Sequence, residues 1–129
     1  DTPLGRMGLS VCYDLRFPEL FRHLTLREDC TLFAVPSAFT AATGRAHWRV
    51  LLAARAVENE CFVLAAAQTG RHADGRETHG ESLILGPWGE QLAALRQRAG
   101  IATAKLDRAG QTRLRKRFPV LVHARPTSG

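Results

Sequence analysis

The sequence predicts an α/β fold, and three observations carry that prediction. Met7, Leu9 and Val11 alternate with smaller residues, the period of a half-buried strand, and Phe17, Leu20, Phe21 and Leu24 then recur at helical spacing. Residues 31–35 and 61–67 are short, nearly continuous apolar runs, as expected of central strands. Residues 46–60, between those runs, are rich in alanine and leucine and read as a helix. Strand, helix and strand in succession imply a right-handed crossover and neighbouring parallel strands.

Each element has its own local reason. Residues 7–12 form the first strand. Pro18 suits the first position of a helix, where its missing N–H costs nothing, and Glu19 follows at the positive end of the helix dipole. That helix is expected to run from Phe17 to Arg27, with Arg22, His23 and Arg27 on its solvated side. Pro36 stops the second strand. Thr43 is a plausible N-cap for the next helix, whose apolar stripe is expected at Val50, Ala54 and Val57, widened by Trp48, Leu51 and Leu52. Arg55 and Glu58 read as an ordinary surface pair at i,i+3. Residues 68–78 are polar, with Asp74-Gly75 as a turn signal. Residues 80–85 and 91–95 form a hairpin around Gly86-Pro87-Trp88-Gly89. Residues 99–106 are expected to be a further strand. Asp107 caps a short helix through Arg117, and residues 118–122 close the chain as an extended segment.

The chemistry centres on Cys12. It lies where the strand period gives way to the helical one, so it sits at a strand-to-helix turn. A thiol there projects from the sheet edge beside backbone N–H groups that favour a thiolate and can hold an oxyanion. The N–H of Tyr13 is the natural donor, as in other nucleophile elbows. By spacing alone, a free cysteine between apolar residues is more often a small buried hydrophobe.

Bulk properties narrow the function classes. With 129 residues, 45% of them hydrophobic, one globular domain is expected rather than disorder. No apolar run is long enough to cross a bilayer and no signal-peptide pattern opens the chain, so no membrane role is expected. Cys12, Cys30 and Cys61 are odd in number and widely spaced. That pattern suggests neither a disulfide framework nor a metal site, and fits a reducing, cytoplasmic setting. The formal charge of +6 raises nucleic acid as a partner, and basic residues cluster late, from Arg96 to Arg117. No aromatic interleaving or nucleic-acid motif accompanies them, so no nucleic-acid role is expected. The chain opens on Asp1-Thr2 rather than methionine, as a piece of a longer protein would.

Gly8 through Glu19, with Cys12, Tyr13, Asp14, Arg16, Phe17, Pro18 and Glu19 in place, resembles the nucleophile signature of the nitrilase superfamily, the carbon–nitrogen hydrolases. Further segments are similar too: Pro36-Ser37-Ala38-Phe39, the helix from His47 to Asn59, Ala66 to His72, Gly80-Glu81-Ser82 and Gly86 to Gly89. Ala66 to His72 is most like the deaminated glutathione amidase branch. The resemblance implies a four-layer α-β-β-α sandwich, of which residues 1–129 would be the C-terminal half. It implies hydrolysis of a small-molecule amide through a thioester: cysteine attacks the amide carbon, ammonia leaves, and water hydrolyses the acyl-enzyme. It implies no metal or organic cofactor, and a homo-oligomer at full length.

Residue roles follow from the resemblance. Cys12 is the nucleophile and Tyr13 supplies its backbone N–H. Ser37, Ala38 and Phe39 line the substrate pocket. Asp14 and Arg16 brace the turn, to each other or to neighbouring backbone, and Glu58 and Asn59 are structural. Arg71 and Arg76 lie in a loop within reach of an acidic substrate. The family's general-base glutamate and its lysine precede the cysteine, yet the eleven residues before Cys12 contain neither, and the only lysines are Lys105 and Lys116. His47 and His79 are the available proton acceptors, and both read more simply as structural or surface histidines. An inactive half-domain that pairs with a partner, and a basic nucleic-acid-binding module, are the competing expectations.

Overall fold

The computed structural model describes residues 1–125; the last four residues of the expected domain lie outside the described residues. A five-stranded sheet runs in the order β1-β2-β3-β6-β7. Its strands are β1 (Met7–Leu9), β2 (Leu32–Ala34), β3 (Phe62–Ala65), β6 (Ser82–Leu85) and β7 (Gln91–Leu95). The first three are parallel, Met7 pairing with Leu32 and Leu32 with Phe62, and the last two are antiparallel. Helix α1 (Pro18–Arg27) connects β1 to β2, and α3 (Arg49–Asn59) precedes β3. The expected crossover units and hairpin are therefore present.

The core lies between that sheet and the two helices. Phe33, Val35, Val63, Ala65, Leu83 and Leu85 point from the sheet to meet Phe21, Trp48, Leu52 and Ala56. Phe21 packs edge-on to Phe33 at 5.0 Å between ring centroids. Two expected stripes are displaced. Leu9 and Val11 are exposed, at 74% and 64%, while Gly8 and Ser10 face the helices. A Cβ on Gly8 would sit 2.9 Å from the Phe33 ring and 3.0 Å from Leu24, so only glycine lets these layers close. On α3 the buried positions are Leu52, Arg55, Ala56 and Asn59, whereas Val50 and Val57 are exposed. The periods are as expected; the apolar side chains of β1 and the outer side of α3 simply do not face this core.

Several boundaries differ from expectation. A 3₁₀ turn, Cys12–Arg16, separates β1 from α1. A short helix α2 (Ala41–Thr43) and a π-helical turn (Gly44–Trp48) precede α3, and Thr40 rather than Thr43 is the N-cap, accepting from the Thr43 N–H. The polar stretch after β3 forms its own hairpin, β4 (Thr69–Arg71) with β5 (Glu77–His79), around the Asp74-Gly75 turn. Residues 99–106 form no strand, because alternating small residues with few apolar anchors do not pair with β7. Helix α4 (Arg108–Arg117) begins at Asp107, whose carboxylate accepts from the Gly110 N–H at 2.8 Å. Residues 120–123 then turn rather than extend.

The late basic cluster is partly structural. Arg115 donates to the carbonyls of Asn59 and Glu60 and contacts the Cys61 Sγ at 3.3 Å, and Arg113 pairs with Asp107. Gln111 also donates to the carbonyls of Thr31 and Glu60, both at 2.8 Å. These bonds dock α4 against the ends of β2 and α3.

Candidate active site

The site is assembled where the three parallel strands end. Ser10 N–H donates to Ala34 C=O, and Cys12 N–H to Pro36 C=O at 2.9 Å. Ser37 N–H donates to Ala66 C=O, and Gln68 N–H returns to Ser37 C=O. The segments after β1, β2 and β3 therefore lie side by side beyond the sheet's carboxyl edge, the usual place for a ligand in an open α/β sheet. Together they floor a cleft of about 470 Å³ lined by Val11, Cys12, Pro36, Ser37, Ala38 and Gln68, with Ser82 entering from β6. Ser82 Oγ is fixed there by the Ala67 N–H at 2.9 Å.

Cys12 is half-buried in this cleft with φ at +46°. For a residue with a side chain, that left-handed conformation costs about 1–2 kcal/mol, and the surroundings must impose it. Its own N–H is held by Pro36. The next internal bond of the 3₁₀ turn is Asp14 N–H to Val11 C=O, so the Tyr13 N–H has no acceptor within the turn. A thiol that lines the cleft and, next to it in the chain, a backbone N–H with no acceptor among the described residues are the pair that acyl transfer through an oxyanion needs. The Tyr13 side chain is exposed and packs on Phe17 at 5.8 Å.

Two braces hold the turn. The Asp14 carboxylate accepts the Val11 N–H at 2.8 Å, closing the turn on itself. Arg55 reaches in from α3 and donates to Leu15 C=O through Nε at 3.0 Å and Nη2 at 2.8 Å, while Nη1 pairs with Glu58 at 2.9 Å. Asn59 donates to the Arg55 carbonyl. The pairing of Arg55 with Glu58 matches expectation, but Arg55 is buried, not on the surface. Sequence reasoning missed its bond to the Cys12 turn, since a long-range bond to a backbone carbonyl has no local signature. Arg16 binds neither Asp14 nor backbone: its guanidinium lies 3.2 Å from His47 Nδ1, over the rings of Tyr13 and Phe39.

Of the three residues expected to line the substrate pocket, Ser37 and Ala38 lie along the same cleft as Cys12. Phe39 does not; it is turned into the core against Trp48 at 5.0 Å. Gln68 and Ser82 line the cleft without having been assigned to it, although both fall in segments that carry the resemblance. His47 is exposed beside Arg16, and neither His47 nor His79 lines the cleft. His79 is buried and bonds Glu81, which also takes Arg49 at 2.6 Å. Burial works to raise the Glu81 carboxyl, but the hydrogen bonds from Arg49 and His79 outweigh it and hold the group below its ordinary range. Cys30 and Cys61 are buried, free thiols. Burial pushes the Cys61 thiol up to about 11, which keeps it protonated at neutral pH.

A profile of the carbon–nitrogen hydrolase family matches residues 1–116. The chain belongs to that family. This carbon–nitrogen hydrolase chain is 49% identical over 119 residues to the deaminated glutathione amidase of Synechocystis, covering 92% of this chain and 43% of the relative. It superposes on the crystal structure of the Caenorhabditis elegans NitFhit protein with a TM-score of 0.92 and 47% identity, over 97% of this chain and 30% of the other. It also superposes on an amidase of Nesterenkonia sp. AN1 carrying acrylamide added at its active-site cysteine. There the TM-score is 0.69 and the identity 33%, over 83% of this chain and 44% of that one. The hydrolase chain therefore spans less than half the length of these relatives.

Proposed function

We propose that this chain is the nucleophile-bearing, C-terminal part of a thiol amidohydrolase acting on deaminated glutathione or a related small ω-amide. The observation that carries the reading is Cys12, held at a strained φ of +46° at the floor of the cleft with the Tyr13 N–H beside it. Membership of the carbon–nitrogen hydrolase family and the likeness to deaminated glutathione amidases support it.

In this mechanism the Cys12 thiol gives its proton to the base and attacks the amide carbon. The C–S bond forms as the carbonyl π pair moves to oxygen, and the Tyr13 N–H receives the oxyanion. Collapse of the oxyanion breaks the C–N bond, and the base returns its proton to the departing ammonia or amine. Water, deprotonated by the same base, then attacks the thioester and releases the acid and the Cys12 thiol. Ser37 and Ala38 shape the cleft around the acyl group. Asp14 and Arg55 hold the turn, and Glu58 and Asn59 act through Arg55. The base and a cationic oxyanion partner, the glutamate and lysine implied by the resemblance, come from polypeptide outside these residues. The full-length protein works in the cytoplasm and as a homo-oligomer on this reading.

The test is product release from deaminated glutathione by the full-length protein and its Cys12→Ala variant, with the acyl-enzyme trapped by acid quench and weighed by mass spectrometry. The expected result is turnover with an adduct on the peptide containing Cys12, and loss of about 10⁴-fold or more in the variant. Full activity in the variant would overturn the reading.

A further inference from the structure

We propose that Arg16 is a positioning residue for the oxyanion donor: its guanidinium, held between the rings of Phe39 and Tyr13, ties the residue after the nucleophile to the closed core. The inference rests on the amidase reading above and adds what aims the Tyr13 N–H.

Tyr13 needs such a tie. Its N–H has no acceptor among the described residues, and the residue is 65% exposed. The bonds of the turn fall on either side of it, Cys12 N–H going to Pro36 C=O and Asp14 N–H to Val11 C=O. Its ring meets Phe17, at 5.8 Å between centroids, and the Arg16 guanidinium, 5.4 Å from the ring centroid. Phe17 is itself half-exposed and belongs to the same surface turn, so it offers no anchor.

Arg16 continues inward. Its guanidinium lies 5.1 Å from the centroid of the Phe39 ring, and its Nη1 is 3.2 Å from His47 Nδ1. Both ring distances fall inside the roughly 6 Å over which a guanidinium is drawn to an aromatic face. A guanidinium only donates, so His47 Nδ1 accepts and fixes the rotation of the fork. Phe39 is buried and packs on Trp48 at 5.0 Å, and the Trp48 indole N–H donates to Glu81 C=O at 2.8 Å. The stack therefore runs from a fixed aromatic core, through Arg16, out to Tyr13. It also keeps the segment that carries Ser37 and Ala38 in step with the nucleophile turn. Among the described residues Arg16 does not line the cleft, so it acts through Tyr13. A planar guanidinium can lie between two rings in this way, and a lysine ammonium cannot. An oxyanion donor must be aimed before the charge forms, and a misplacement of about 1 Å costs on the order of 100-fold in rate.

The experiment uses the full-length protein with deaminated glutathione. Arg16→Met and Arg16→Lys are each expected to lower kcat by about 10- to 100-fold while KM moves by less than about 3-fold. A second readout separates aim from mere structure: inhibition by butanal against butan-1-ol. Cys12 Sγ adds to the aldehyde carbon and the thiol proton passes to the carbonyl oxygen, which then sits where the oxyanion would form. Butan-1-ol fills the same cleft without bonding to sulfur. Arg16→Met is expected to weaken butanal by about 10-fold or more relative to butan-1-ol. If the methionine variant does not fold, Arg16→Gln carries both measurements. An unchanged kcat, an inhibitor ratio equal to that of the parent, or parent-level turnover in Arg16→Lys overturns the inference and leaves the amidase reading intact. A parent that hydrolyses neither deaminated glutathione nor other ω-amides overturns the amidase reading instead, and the inhibitor ratio still decides the role of Arg16.

Discussion

Arg55 shows how one side chain connects the outer helix to the reactive turn. Its guanidinium is buried at 4% exposure and spends two donors on one carbonyl, Leu15, at the end of the Cys12 turn. Lysine keeps the charge but cannot supply that fork, and it leaves part of the carbonyl and Glu58 unanswered. Arg55→Lys is therefore expected to cost about 1–3 kcal/mol, read as a lower urea midpoint at unchanged slope. It should also slow acylation by the full-length protein more than it weakens substrate binding. Glu60 presents the opposite case. It ends α3 in the left-handed region, φ +48°, buried, with both carboxylate oxygens unpartnered among the described residues. Burial pushes its carboxyl up, and the opposing charges of Arg115 and Arg22 only partly offset this. A raised pKa in the folded state means that stability is fully present below the unfolded value. It is lost as pH rises through the folded one. Glu60→Gln removes that titration. The variant's advantage in urea midpoint over the parent should grow from pH 4 to pH 8; an advantage that stays constant across that range would show that the carboxyl does not titrate on unfolding.

The elements depend on close contacts that no pattern announces. Gly44, in the π-helical turn, packs on β5 so tightly that a Cβ there would overlap the His79 side chain. His79 N–H in turn bonds Phe39 C=O, and Thr40 bridges Thr78, so β5 is held to the segment that forms one wall of the cleft. Gly44→Ala should destabilise by about 1–3 kcal/mol, measured by thermal melting, and increase proteolytic cutting in the β4–β5 hairpin before the rest of the fold. Equal protection of that hairpin in parent and variant would show that the contact is not what holds it. The contrast with β1, β2 and α1 explains what was legible in the sequence. Their periods, the proline at the start of α1 and the carboxylate cap of α4 by Asp107 are local signals, and each appears where expected. The β4–β5 hairpin is not local in this sense: its strands are three residues long and mostly polar, and they exist because their ends bond elsewhere. The turn of Phe39 into the core is likewise decided by Trp48, nine residues on and across the π-helical turn. Cys12, Ser37 and Ala38 meet at one cleft because motif and strand end coincide, whereas Gln68 and Ser82 reach it, and Arg55 reaches the turn, through tertiary contacts that their segments do not announce.

At the scale of the molecule, the sheet is covered by α1 and α3 on one face, and its other face carries exposed Leu9 and the neighbouring Val11. Those residues have the strand period and the apolar character of a core position, so the misplaced expectation for β1 has a physical basis: a strand in a four-layer sandwich alternates between two apolar faces, not between core and water. The same layering sorts the three cysteines. Cys30 and Cys61 lie in the helix-covered layer, at 2% and 0% exposure, and burial raises both thiols. Cys12 stands outside it, at the carboxyl edge of the sheet. Brief treatment of the native chain with iodoacetamide at neutral pH should therefore give a single adduct, on Cys12, absent from Cys12→Ser. Unfolding in guanidinium should bring Cys30 and Cys61 up to the same extent of labelling. Three equal adducts without denaturant would mean that the covered layer is not closed. A native chain that resists labelling altogether would mean that the cleft does not admit a small electrophile to Cys12, and the proposed chemistry would then have no route to its nucleophile.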